Sequence, residues 1–135
     1  MIYLKELEKK IVQSAKSRMN IQETFNIPFS DTGKRTVYAV ISFSCGHCIE
    51  LIPSLSELNR FNRFRLITDG DDNDNQNVAV EYNYTFPIYS YKLPLDRVHI
   101  NHTPACLVVD ENGDVESNKF TPSISDMIAL LQEIG

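Results

Sequence analysis

Residues 36–43 read TVYAVISF, a β-branched and aromatic run with almost no polar interruption, and Cys45-Gly46-His47-Cys48 follows one residue later. A strand with one wet face alternates apolar and polar residues, whereas a strand covered on both faces does not. The run therefore predicts the central strand of a sheet in an α/β or mixed fold. After the cysteines, Ile49, Ile52, Leu55 and Leu58 recur at three-residue steps and Leu51 widens the face, which predicts a helix that follows them directly. Pro53 lies inside that helix and should kink it, because proline lacks the donor that would bond the carbonyl of Ile49.

Around this unit the remaining elements fall into place. Leu4, Leu7, Ile11, Ala15 and Met19 are spaced as the apolar face of an amphipathic helix. The stretch Ile21 to Lys34 reads as a strand or extended arm ending in the Asp31-Thr32-Gly33-Lys34 turn. Arg65 to Thr68 is a second short central strand, and the polar stretch Asp69 to Asn77 reads as a mobile loop leading to a helix or irregular segment through Tyr84. Phe86 to Leu95, aromatic and holding Pro87 and Pro94, reads as a packed connection; Tyr82, Tyr84, Phe86, Tyr89 and Tyr91 are expected to pack as core or near-core side chains. Residues 105–109 form a strand, Asp110-Glu111-Asn112-Gly113 a hairpin turn, and Asp114 to Asn118 the return strand. Thr121-Pro122 is read as the cap of a closing helix whose buried stripe is Ile124, Met127, Ile128 and Leu131.

At 135 residues the chain suits one well-cored domain spanning 1–135. Its net charge of -5, with no Lys/Arg cluster, argues against a nucleic-acid partner. No apolar stretch approaches the roughly 18 residues of a membrane-spanning helix. The charged start MIYLKELEKK suits a cytoplasmic chain, or an extracytoplasmic one whose leader has been removed. A monomer is expected.

Three readings compete for the cysteine pair. Zinc wants four ligands, and the only further candidates are Cys106, His99 and His102, of which Cys106 lies inside an apolar strand, so no metal is expected. A calcium loop is suggested by Asp69, Asp71, Asn73 and Asn75 but fails at Asp74, where glycine is needed, and at Val80, where a closing glutamate is needed. An inert structural pair sits poorly in a strand-to-helix turn where backbone donors are free. Disulfide exchange accounts for the spacing better. Cys45, at the first turn of a helix, has its thiolate stabilised by unpaired N–H groups, and Cys48, one turn along, is placed to attack a mixed disulfide. Gly46 lets the turn tighten, and a protonated His47 favours the Cys45 thiolate and thus a more oxidising pair. Cys106 reads first as a buried small hydrophobe.

These features together resemble the thioredoxin superfamily, especially thioredoxin-like domains of the TlpA/ResA type. Cys45, Cys48 and Pro53 match the family's strand, CxxC and proline-bearing helix, while Thr103-Pro104 ahead of ACLVVDENGDV matches its second signature. The resemblance runs from about Phe25 to the end and is loose over residues 69–100. It implies a thioredoxin-like α/β fold, a central mixed β-sheet flanked by helices, and thiol-disulfide oxidoreductase activity on protein or peptide thiols. Pro104 would then be cis and packed against the cysteines, with Thr103 offering backbone groups to an extended substrate. No cofactor is implied; a partner reductase or oxidase must restore the pair. Ser44 stands where thioredoxins carry tryptophan, and their buried acid falls at Ala39. Glu50 is the nearest alternative acid. The direction of electron flow stays open, with a dedicated oxidant or isomerase for one peptide client, and a redox-inactive binding or chaperone module, as alternatives.

Overall fold

A computed structural model describes residues 19–29 and 33–134 of the chain. The helix expected over Leu4–Met19, Met19 apart, and the first half of the 31–34 turn lie outside the described residues.

Strand β1, Thr36–Ile41, is buried along its whole length. Its side chains alternate between two cores, as the two-residue period of a strand requires. Val37, Ala39 and Ile41 join Cys48, Leu55, Leu58, Phe64, Leu66, Cys106, Val108 and Met127 on one face of the sheet. Tyr38 and Val40 join Ile21, Phe25, Ile67, Tyr91 and Leu107 on the other. This division is why the run holds almost no polar residue.

Strands β2 (Phe64–Thr68), β3 (Ile88–Ser90), β4 (Ala105–Val109) and β5 (Val115–Phe120) complete a sheet of order β3-β2-β1-β4-β5. Pairing is parallel for β1 with β2 and for β2 with β3, and antiparallel for β1 with β4 and β4 with β5. The sheet is mixed, with β1 at its centre. β3 corrects the expectation of an irregular connection over Phe86 to Leu95: Pro87 lends its carbonyl to the Leu66 N–H, so a proline at the strand's start costs no ladder donor. The aromatic segment divides between the two cores. Phe86 meets Phe64 edge-on at 4.7 Å, and Tyr91 meets Phe25 at 4.9 Å.

Helix α1, Ile21–Phe25, replaces the extended arm expected there. The Asn20 side chain accepts from the N–H groups of Gln22 and Glu23, and left-handed Asn26 (φ 53°) ends the turn. Helix α2, Gly46–Leu51, continues as a 3-10 segment, Ile52–Arg60. Because Pro53 cannot donate, the Ile49 carbonyl takes the Ile52 N–H instead, and where the sequence led us to expect a kink the helix tightens into 3-10 winding.

Helix α3, Asp72–Tyr82, overturns the loop expected through Asn77. Asp71 accepts from the Asp74 N–H while the Asp74 carboxylate accepts from the Asp71 N–H, a reciprocal cap, so acidic and amide residues that look loop-like serve the helix start. Helix α4, Ile124–Ile134, is capped by Ser123, whose hydroxyl accepts from the Asp126 N–H, rather than by Thr121. The Thr121 side chain is used elsewhere: it is buried and donates to the Cys106 sulfur at 3.2 Å. No helix among the described residues is long and apolar enough to cross a membrane.

Candidate functional site

The carboxyl ends of β1 and β2 create the site. Ile41 lies opposite Thr68 in the parallel register, so the residues that leave the two strands, Ser42 and Asp69, emerge side by side. Asp69 takes advantage of this. One carboxylate oxygen accepts the Ser42 hydroxyl at 2.5 Å and the other accepts the Phe43 N–H at 2.8 Å. The Ser42 oxygen in turn accepts the Ser44 N–H at 3.1 Å, and the Ser42 carbonyl accepts the Cys45 N–H at 3.1 Å. A turn that would otherwise leave several donors unpaired is thereby fixed.

Gly70 lets this turn close. A Cβ there would stand 2.5 Å from the Phe43 ring and 2.9 Å from the Asp74 Cβ, so the ring packs where any other residue would intrude. Below it, Asn75 anchors α3 to the sheet: Thr68 donates its hydroxyl to the Asn75 carbonyl oxygen, and the Asn75 amide donates to the Ser90 hydroxyl at 2.9 Å.

Cys45 caps α2 in extended backbone conformation (φ -97°, ψ 124°), and its thiol donates to the Thr103 carbonyl at 3.4 Å. The Thr103–Pro104 peptide is cis. The two separated signatures thus meet across the end of the sheet. Cys48 lies one turn into α2, wholly buried, and its sulfur accepts the Ser42 N–H at 3.4 Å. Each thiol also bears on the other's ionisation, Cys48 lowering Cys45 and Cys45 raising Cys48.

The two sulfurs are held in opposite electrostatic states. The Thr103 side chain, not the carbonyl that accepts the thiol proton, is the largest influence on Cys45; with the backbone donors of Cys48 and His47 its hydrogen bonding outweighs partial desolvation and holds the thiol below its ordinary value. Burial pushes Cys48 up to about 11 despite its hydrogen bonds with Thr103 and Ser42, with Cys45 adding to the rise. The result is one half-exposed, readily ionised sulfur beside one buried, reluctant sulfur.

Ser44, Gly46, His47 and Glu50 are all exposed around the pair. Glu50 lies two residues beyond buried Cys48, roughly 200° around the helix from it. Cys106 is fully buried on β4 opposite Ala39, and burial pushes its thiol up to about 12. It shares the core cluster of Cys48 and Ala39 but not the surface of Cys45. His102 rests near Phe120, with rings 6.0 Å apart, and the His99 carbonyl accepts from the Asn118 amide. Among the described residues, no three His, Cys, Asp or Glu side chains are grouped so as to hold a metal ion. Ser42 and Asp69 are the site residues that sequence reasoning passed over. The one available signal was their shared position at the ends of adjacent parallel strands.

No family model matches the chain, and no curated protein matches it. Solved structures do. A thioredoxin-like protein in its oxidised form superposes with a TM-score of 0.67 at 19% identity, over 88% of this chain and 96% of the other. A secreted Mycobacterium tuberculosis disulfide oxidoreductase homologous to E. coli DsbE gives 0.56 at 20% identity, over 76% and 84%. A thiol-disulfide isomerase from Corynebacterium glutamicum gives 0.57 at 17% identity, over 86% and 92%. The chain has the thioredoxin-like α/β fold, a central mixed sheet flanked by helices.

Proposed function

We propose that this protein is a thiol-disulfide oxidoreductase of the TlpA/ResA type, one domain acting on protein or peptide thiols through Cys45-Gly46-His47-Cys48. The observation that carries the reading is the unequal pair itself: a half-exposed Cys45 with a lowered thiol pKa, whose thiol meets the Thr103 carbonyl before cis Pro104, one turn from a wholly buried Cys48 raised to about 11.

The chemistry follows from that inequality. The Cys45 thiolate attacks a client disulfide, forming a bond from Cys45 to one client sulfur and releasing the other as a thiolate that takes up a proton. Cys48 then loses its proton and attacks the Cys45 sulfur; the Cys45–Cys48 disulfide forms and the second client thiolate leaves. The client is reduced by two electrons and the pair oxidised by two. Run backwards, the same steps oxidise a client dithiol. A second protein dithiol or disulfide restores the starting state, and no organic cofactor takes part. Thr103 and cis Pro104 form the seat for an extended client segment beside Cys45, with Ser44 and His47 at its margin.

Ala39 favours a second reading within the same chemistry. With no buried acid at that position to accept the Cys48 proton, a dedicated oxidant or isomerase is better served than a general reductant, and His47 biases the pair the same way. The isomerase from Corynebacterium glutamicum supports that reading, and the secreted setting of the Mycobacterium tuberculosis protein supports an extracytoplasmic location.

Insulin reduction and oxidation of a reduced dithiol peptide, run side by side, test the proposal. Cys45→Ser should abolish both, and Cys48→Ser should accumulate mixed disulfides at Cys45. Undiminished turnover in Cys45→Ser would refute it.

A further inference from the structure

With the position of the missing acid filled by Ala39, the resolving step needs another source of help for the Cys48 thiolate. Besides the Thr103 side chain, the backbone donor aimed at the Cys48 sulfur is the Ser42 N–H, 3.4 Å away. Ser42 has already left β1, so the sheet ladder does not hold it. What holds it is Asp69, 27 residues away in sequence, which accepts the Ser42 hydroxyl and the following Phe43 N–H on its two oxygens.

We infer that Asp69 is a positioning residue for the resolving step: its carboxylate locks Ser42 so that the Ser42 N–H stays directed at the sulfur of Cys48 as that sulfur becomes a thiolate. The inference rests on the thiol-disulfide reading of the pair and adds to it the group that assists the buried cysteine. Two acceptor oxygens facing two donors make the carboxylate specific. An asparagine offers one acceptor oxygen; with that oxygen on the Phe43 N–H, its NH2 group must donate to the Ser42 hydroxyl oxygen, so the charge-assisted bond from the hydroxyl is replaced by a weaker neutral one of reversed direction. Ser42→Ala breaks the lock from the other side while leaving the backbone N–H in place.

A thiolate is stabilised by such a donor far more than a thiol is. Because Cys48 titrates near 11, it is almost wholly a thiol at pH 7, so weakening the donor acts on the rate of the resolving step and hardly on the equilibrium potential at that pH. A merely structural residue would lower the melting temperature without this signature.

The experiment loads Cys45 with thionitrobenzoate and follows its release as the Cys48 thiolate attacks the Cys45 sulfur. In that step the Cys45–Cys48 bond forms, the bond to thionitrobenzoate breaks, and the electron pair leaves on the coloured thiolate. Release at pH 7 is expected to fall about threefold in Asp69→Asn and in Ser42→Ala: one weakened hydrogen bond to a charged group lowers the thiolate fraction about tenfold, and the greater nucleophilicity of the more basic thiolate returns about a factor of three. Ser42→Thr, which keeps the hydroxyl, should retain the wild-type rate. In parallel, the Cβ resonance of Cys48 is titrated in a Cys45→Ser background, which removes the coupled partner; its midpoint should rise by about one unit in both variants. Unmoved midpoints and release rates in both variants would overturn the role of Asp69. A wild-type protein that never releases thionitrobenzoate would instead refute the thiol-disulfide reading, while the Cys48 titration would still decide whether Asp69 governs that sulfur.

Discussion

Reduced protein exposed briefly to iodoacetamide at pH 7 should be modified at Cys45, with Cys48 and Cys106 spared. The magnitude follows from ionisation, nucleophilicity and access. Cys48 near 11 and Cys45 below its ordinary value of 9 differ by at least about two units, so the thiolate fraction at pH 7 favours Cys45 by at least about a hundredfold. Intrinsic nucleophilicity works against this, because a less basic thiolate attacks more slowly with a Brønsted slope near 0.5, which returns about a factor of ten. A net preference of about tenfold remains before access is counted. Access then widens it, since both Cys48 and Cys106 are 0% exposed while Cys45 is half-exposed. The assay is a pH series of short alkylations read by peptide mass spectrometry, site by site. Modification at Cys45 should flatten below pH 9, whereas that at Cys48 should keep climbing about tenfold per pH unit toward its value near 11. Comparable rates at Cys45 and Cys48 at pH 7 would refute the unequal-pair argument, as would a Cys45 rate still rising tenfold per unit through pH 9.

Three further outcomes bear on the scaffold. Asn75→Ala leaves the Thr68 and Ser90 hydroxyls without their shared partner beneath the site, and urea unfolding should register a loss of about 1–3 kcal/mol. Gly70→Ala drives a methyl group into the Phe43 ring and should cost about 1–3 kcal/mol, with the Phe43 resonances displaced in an NMR spectrum. The reduced protein should also weaken in alkali. Folding holds the Cys106 proton more tightly than the unfolded chain does, so this contribution is complete below the unfolded value near 9 and is lost as the pH rises from there toward about 12. The loss is about 1.4 kcal/mol for each unit of that window, and Cys106→Ala should flatten the alkaline limb of a stability-against-pH curve.

What could be read from the sequence was what local pattern encodes. The apolar run of β1, the cysteines behind it, the helix that follows them and the Asp110–Gly113 turn are all short-range features, and each is found in place, though Pro53 tightens that helix where a kink was expected. Misreadings arose where local chemistry points both ways. Asp and Asn over 71–75 suit a loop by composition, yet the reciprocal Asp71–Asp74 cap turns them into a helix start. Pro87 argued against a strand, but its carbonyl is the part the sheet uses. The partnership of Asp69 with Ser42 could not be read locally at all. It exists only because β1 and β2 run parallel in a register that brings Ile41 beside Thr68, and one residue of slippage would abolish it.

The central claim is that Cys45 and Cys48 form a two-electron redox couple. Equilibration in a series of glutathione ratios, followed by acid quenching and mass spectrometry that tracks Cys106 separately, tests it most directly. The expected result is a single transition in which Cys45 and Cys48 become linked while Cys106 stays a thiol. A midpoint near about -180 to -120 mV would make the protein an oxidant or isomerase, and one near about -270 mV a reductant. No Cys45–Cys48 disulfide at any ratio would contradict the account.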